Sequence, residues 1–285
     1  TTISVTEVET LIRDPYAVYA GRVLGLKALD PHAADPGAAE RGTIRHAALA
    51  DFLGHYDGPF DEDAVTALTA AGRRAFRAVE RYPEVVALWW PRFERIARAF
   101  VAEMAAAGPV RRRHLEIEGL LPIRLGARTV MLKGRADRID ETAAGLVVVD
   151  YKTGGHPSQK QVASLLAPQL PLEAAMARHG AFPGVPAGEP IEALVYVALK
   201  GRAPPIAVLS MAGVLEGDAD RGVPDRTPTE LAEEARQRLT ALLAAYEDPE
   251  HPYRSWARPQ FERRFAGDYD HLARLQEWAL AEDEA

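Results

Sequence analysis

The 285-residue chain has no cysteine, which removes disulfides, thiolate zinc sites and iron–sulfur clusters together. Any metal it binds must rest on oxygen or imidazole. No apolar run reaches the roughly 18 residues of a membrane span, so a soluble chain with no membrane partner is expected. A basic and apolar leader is missing, and the sequence begins Thr1-Thr2-Ile3 without an initiator methionine. The expectation is a piece of a longer cytoplasmic polypeptide. Positive charge is in deficit: the formal net charge is -7, which tells against a general attraction to nucleic acid. A GxxxxGK[ST] loop, an HExxH pair and a GxSxG elbow are also lacking, so ATP hydrolysis, zinc proteolysis and serine-esterase chemistry have no support.

What is present is an ordinary globular composition, 47% hydrophobic and 26% charged, with no internal repeat. Basic residues cluster locally at Arg111-Arg112-Arg113-His114 and at Arg254, Arg258, Arg263 and Arg264, while acid gathers at 216–234 and 280–285. Residues 1–110 read as mainly helical. Thr6 is placed to cap a short helix carrying Val8, Leu11 and Ile12, and Asp14-Pro15 offers a stop and a new start. A helix covers about 38–53, and Phe93, Ile96, Ala97, Phe100, Val101 and Met104 recur at the spacing of one buried helix face. Residues 111–213 change to strand period, with strands at 114–123, 127–140, 145–152, 191–199 and 205–212, and one helix after Pro168 ending near Gly180. Residues 214–285 hold two more helices, near 228–246 and 267–281. The reading is a single α/β domain with a central mixed sheet flanked by helices and an N-terminal helical extension.

The most informative stretch is Gly134-Arg135-Ala136-Asp137-Arg138-Ile139-Asp140, then a polar turn, then Leu146 to Gly154. A turn centred between Ala143 and Ala144 pairs two antiparallel strands so that Asp137 faces Asp150. Directly opposed residues have Cβ atoms about 4.5–5.5 Å apart, and like charges there repel. A hard divalent cation offsets that repulsion, since Mg²⁺ binds through one or two carboxylates and keeps waters for its substrate. Strand alternation puts Lys152 on the same face as Asp150. The bland reading, ordinary salt bridges at solvated strand ends, is weakened by the apolar run Leu146 to Val149. That run marks a buried strand whose end carries Asp150 and Lys152.

These residues carry a family resemblance. Gly134 to Asp140 with Asp150-Tyr151-Lys152-Thr153-Gly154 resembles the GxxDRxD…DYKTG signature of RecB-type nucleases, a branch of the PD-(D/E)XK superfamily. Pro168-Gln169-Leu170-Pro171-Leu172 resembles that family's PQLxLY segment, and Arg41-Gly42-Thr43 with His46 resembles its RGTxxH helix. Thr6 to Tyr16 and Tyr269 to Leu272 are similar, more loosely, to the entry segment and closing helix of AddB nuclease domains. Two departures stand out. Asp14 occupies a position where many relatives have the first cysteine of an iron–sulfur cluster, so a cluster-free variant is implied. Glu173 replaces the usual tyrosine after the glutamine.

The resemblance implies a restriction-endonuclease-like core and a metal-dependent DNA nuclease, with exonuclease action in double-strand-break repair beside an AddA-like helicase subunit. It implies Mg²⁺, replaceable by Mn²⁺, held by His46, Asp137, Asp150 and the backbone carbonyl of Tyr151. Lys152 then orients or deprotonates the attacking water. Gln169 orients a water or phosphate, although capping alone would also place a polar residue there. His46, taken by itself, reads as a core histidine beside Leu49 and Leu53. Glu116 and Glu118 read as an exposed strand face rather than metal carboxylates, and Trp89-Trp90 as core rather than a base-stacking surface. Arg111 to Arg113 read equally as phosphate contacts or a solvated run. The competing reading is an inactive nuclease-like domain that only binds DNA or a helicase partner.

Overall fold

The structure is a computed structural model that describes residues 1–27, 35–217, 224–255 and 267–274. Strand β1 (Thr2–Ser4) leads into α1 (Val5–Arg13) and α2 (Pro15–Val18). Helices α3 (Ala38–His55), α4 (Glu62–Phe76) and α5 (Pro83–Ala106) follow. The sheet strands are β2 (Arg112–Leu125), β3 (Arg128–Glu141), β4 (Leu146–Lys152), β5 (Ile191–Leu199) and β6 (Ile206–Ala212). Helices α6 (Gln159–Ala163) and α7 (Gln169–Arg178) lie between β4 and β5, and α8 (Pro228–Ala245) follows β6.

Two expectations at the N-terminus are corrected. The cap of α1 is Ser4 rather than Thr6: Ser4 Oγ accepts from Glu7 N at 3.1 Å, and the Glu7 carboxylate accepts from Ser4 N at 2.8 Å. Ser4 is extended because it closes β1, which gives its hydroxyl the reach that Thr6, inside the first turn, lacks. At the other end, residues 267–274 form turns rather than a helix, with Leu272 exposed, so the segment buries no face to hold one. The rest of that expected helix, and Arg258, Arg263 and Arg264, lie outside the described residues.

The mixed sheet runs β1-β3-β4-β5-β6, with β2 along the other edge of β3. β1 is parallel to β3 and β4 is parallel to β5, while the remaining pairs are antiparallel. One face packs against α1, α7 and α8 through Leu132, Ile139, Val148, Leu194 and Leu239. The opposite face packs against α3, α4 and α5 through Phe93, Phe100, Val149, Tyr151 and Val197. Burial on both faces explains the continuous apolar run in β4. Trp89 is buried in the second cluster, as expected, and the Arg41 guanidinium lies 5.8 Å from its ring. Of the basic run, Arg111 and Arg112 are exposed, while Arg113 turns toward Asp140 at 3.7 Å.

Strand β3 makes the site possible by being shared. β2 covers one of its edges from end to end. The other edge is taken by β1 at Met131 to Lys133 and by β4 at Arg138 to Glu141. Between them, Gly134 to Asp137 have no strand partner on that edge among the described residues. The β3–β4 ladder stops at Arg138 opposite Val149, and beyond that point β4 continues against β5 alone. The sheet forks there. Gly134 serves packing at the fork, since a Cβ on it would sit 2.7 Å from Met176 Sδ of α7.

Candidate metal centre

Asp137 leaves β3 and Asp150 leaves β4 at the mouth of the fork, the next residues beyond the last paired rung. The hairpin register expected from the sequence is the one observed, because the turn Thr142 to Gly145 closes with Thr142 N donating to Gly145 O at 2.9 Å. Where the strands part, a side chain replaces the main-chain rung: Tyr151 N donates to Asp137 Oδ2 at 2.8 Å. In a strand, the N–H and C=O of one residue point to the same neighbour. The Tyr151 carbonyl therefore faces the same gap.

Helix α3 closes the gap from the second face. His46 Nδ1 lies 3.3 Å from Asp137 Oδ1. Gly42, one turn earlier on the same helix, lies beside Thr153, whose Oγ1 would be in ordinary contact, 3.4 Å, with a Cβ placed there. Burial opposes a charged imidazolium at His46, but the hydrogen bond and charge of Asp137 outweigh it and raise the pKa.

On the α7 side the polar groups form a closed set. Lys152 Nζ donates to Asp150 Oδ1 at 3.0 Å and to Gln169 Oε1 at 2.7 Å. Gln169 Nε2 donates to Asp150 Oδ1 at 2.6 Å and to Glu173 Oε1 at 3.2 Å. Asp150 is 3% exposed, and its Oδ2 has no hydrogen-bond partner although Nζ is 2.9 Å away. Burial raises the Asp150 pKa to about 6 against the lowering pull of Lys152. Glu173 is 2% exposed. Burial, reinforced by the charge of Asp150, raises its pKa well above the carboxylate range. α7 is buried on nearly all sides, from Leu170 through Ala177, which is why a glutamate there has no route to water.

Glu116 corrects the strand-face expectation. It is half-buried, and its carboxylate joins His46 and Asp137 in a group whose ligand atoms all lie within 4.8 Å of one another. Its backbone has φ +48°, a left-handed excursion inside β2, while the register on either side of it is unbroken. Burial, then the charge of Asp137, raises its pKa, while Arg135 Nη2 lies 2.9 Å from Oε2. Glu118 stays exposed beside Lys133, as expected. The hairpin turn at Gly126 held the missing signal. Centring it between Gly126 and Ala127 sets Glu116 opposite Asp137.

The structure thus brings together Asp137, Asp150, Lys152, Gln169, His46 and the Tyr151 backbone, and adds Glu116 and Glu173. Carboxylate oxygens, one imidazole and a carbonyl form a donor set that fits a hard divalent cation.

A mixed sheet sandwiched by helices, with acids at a split between two strands, is the architecture of a metal-dependent phosphodiesterase core. The profile of the PD-(D/E)XK nuclease superfamily matches residues 2–267, and the chain belongs to that superfamily. An uncharacterized protein of Rickettsia bellii is 29% identical over 182 residues, 63% of this chain and 22% of that protein. One from Rickettsia conorii is 28% identical over 188 residues, 64% of this chain and 22% of that protein. The chain spans about a fifth of the length of these curated relatives. A solved structure, the crystal structure of SSO0001, aligns with TM-score 0.32 and 16% identity over 85% of this chain and 76% of that one. No helix among the described residues is long and apolar enough to cross a membrane.

Proposed function

We propose that the chain is a Mg²⁺-dependent deoxyribonuclease of the RecB type, with Mn²⁺ able to substitute, and that it hydrolyses phosphodiester bonds at DNA ends. The observation that supports this most directly is the meeting of Asp137, Asp150 and Lys152 at the fork, with His46 opposite. A divalent ion there supplies charge neutralisation for the phosphoryl oxygens and a more acidic water. Asp137, Asp150, His46 and the Tyr151 carbonyl hold it. Lys152, clamped between Asp150 and Gln169, orients the attacking water and balances developing negative charge. Gln169 acts by fixing Lys152, since both of its amide hydrogens are already donated.

The finer reading is an end-processing exonuclease module, akin to the nuclease domain of AddB, working in cytoplasmic double-strand-break repair beside an AddA-like helicase subunit. The span of about a fifth of the relatives' length is consistent with a module of a larger machine. The net charge of -7 is consistent with a strand delivered by a partner rather than captured unaided.

The test is digestion of end-labelled single- and double-stranded DNA in Mg²⁺, Mn²⁺ or EDTA, comparing the chain with Asp150→Asn and Lys152→Ala. Metal-dependent cleavage lost in both variants is the expected result. Cleavage that persists in both would remove this assignment.

A further inference from the structure

We infer that a cluster of arginines beside the metal centre is the seat for the phosphates that flank the scissile bond on a bound DNA strand. This rests on the nuclease reading above and adds a binding surface outside the carboxylate set. Its members are Arg41 and Arg45 of α3 and Arg92 and Arg95 of α5, with Lys200 and Arg202 in the turn from β5 to β6. In a chain whose 41 acids outnumber its 34 lysines and arginines, a patch of one positive sign stands out.

The turn from β5 to β6 gathers the cluster. Arg45 Nη1 donates to Leu199 O at 2.7 Å, and Arg95 donates to Gly201 O from Nη2 at 2.8 Å and from Nε at 3.0 Å. Gly201, at φ +68°, lies so close to α5 that a Cβ on it would sit 2.8 Å from Arg92 Cβ. Arg41 stands one turn before Arg45 on α3. Its guanidinium is 5.8 Å from the ring of Trp89, which stands one turn before Arg92 on α5. The metal centre adjoins this patch. β4 and β5 are parallel with Lys152 level with Ala198, so the turn leaves the sheet at the same edge as the segment after Lys152. On α3, Arg45 directly precedes His46, and Gly42 lies beside Thr153.

Among the described residues, Arg41, Arg45, Arg92 and Arg95 form no ion pair with an acid. The neighbouring charges of Arg41 and Arg92 act on Arg45 with its own sign. Glu40, next in sequence to Arg41, is engaged in capping α3, where it accepts from Gly37 N at 2.7 Å. Arg45 is 3% exposed, and one carbonyl does not neutralise a buried guanidinium. Arg41 Nε is buried without a hydrogen-bond partner. Like charges held together in this way repel, and an anion of matching shape relieves them. A phosphodiester fits, since a guanidinium fork pairs with two phosphate oxygens. A strand supplies such groups in series, and Arg41 and Arg45, four residues apart, present Cβ atoms about 5–6 Å from each other on one helix face. The patch is local, so it holds a delivered strand without reversing the acidic field of the whole chain.

The experiment compares wild type with the double variant Arg41→Gln, Arg92→Gln. The charge-matched control is Arg236→Gln, Arg238→Gln, on α8 across the sheet. Melting curves establish that each is folded; if the first pair does not fold, Arg41→Gln alone takes its place. The specificity constant kcat/KM is measured in Mg²⁺ on a labelled single-stranded oligodeoxynucleotide and on bis(p-nitrophenyl) phosphate, a diester without flanking phosphates. The ratio of the two is expected to fall ~10-fold or more in the first variant, through KM on the strand, and to hold in the control. The slope of log KM against log salt should become shallower by about 1.4 for two lost phosphate contacts. Arg41→Lys with Arg92→Lys, which keeps the charge but not the fork, should recover part of the loss. An unchanged ratio and slope in the folded variant would overturn the phosphate seat and leave the nuclease reading intact, as would an equal fall in the control. Anisotropy of the labelled strand in EDTA reads the seat apart from catalysis. Weaker binding by the variant supports it even if wild type cleaves nothing, whereas equal binding, or none by wild type, overturns it.

Discussion

Gln169 Nε2 gives one hydrogen to Asp150 Oδ1 at 2.6 Å and the other to Glu173 Oε1 at 3.2 Å. Glu173 thereby fixes which way the amide faces, and the amide oxygen is left to hold Lys152. Burial and the neighbouring Asp150 charge both favour the protonated form of Glu173, whose place in the set is that of an acceptor for the amide.

Glu173→Gln keeps an acceptor of the same shape and is expected to leave cleavage within a few-fold of wild type. Glu173→Ala leaves the Gln169 hydrogen unsatisfied and opens a cavity in α7, with an expected cost of about 2–4 kcal/mol. Chemical denaturation at pH 7.5 compares them. A glutamine variant as unstable as the alanine one would show that ionised Glu173 is required.

Asp150→Asn should stabilise the metal-free protein while abolishing its activity. The folded pKa of about 6 lies above the ordinary value of 3.8. The folded state thus holds the proton more tightly, and stability falls as pH rises from about 4 to about 6, then levels off. At pH 8 the asparagine variant is expected to gain about 1–3 kcal/mol in EDTA, with the gain vanishing near pH 4. Saturating Mn²⁺ at about 100 times its Kd should add about 2.7 kcal/mol to wild type and much less to the variant. Thermal melts across pH, with and without metal, check both signs; a gain that grows toward low pH would contradict the argument.

Lys152→Ala separates chemistry from metal binding. The variant is expected to bind Mn²⁺ with affinity equal to or above that of wild type, since a competing cation is removed, yet to cleave about 10²–10⁴ times more slowly. Calorimetry beside single-turnover cleavage distinguishes the two effects. Loss of Mn²⁺ binding in this variant would mean that the lysine builds the site rather than working in it.

Tyr151 contributes its backbone to the gap and its ring to the opposite face. Its hydroxyl accepts from Arg138 Nη1 at 2.7 Å, and that buried guanidinium also lies 3.2 Å from Asp140 Oδ2. Tyr151→Phe should therefore destabilise by about 1–3 kcal/mol through a buried donor left unpaired. Cleavage per folded molecule should be retained, because the carbonyl remains. Urea denaturation measures the first expectation and cleavage at low temperature the second; an inactive but stable phenylalanine variant would reverse the assignment.

The strands and the Asp137–Asp150 register were readable because alternation has a period of two and a four-residue turn leaves only one way to pair its arms. Lys152 followed from the same alternation. β1 was not readable: its three residues, Thr2 to Ser4, are too short to show a period, and only its pairing with Met131 to Lys133 defines it. Glu116 was missed because the register of β2 on β3, which the turn at Gly126 fixes and which sets it opposite Asp137, was not followed back along the strand. Glu173 drew notice as an unusual residue. The upward shift of its pKa depends on α7 being enclosed by the sheet and α8, a tertiary circumstance that no local pattern encodes.

The fork has a further consequence for how the centre comes into being. His46, Glu116, Asp137, Asp150 and Gln169 arrive on five different elements spread over more than a hundred positions of chain. No short fragment contains the set, and loops of unequal length must close before any two of these groups meet. The centre is therefore a product of tertiary assembly. A chain carries it only when all five elements are in place together.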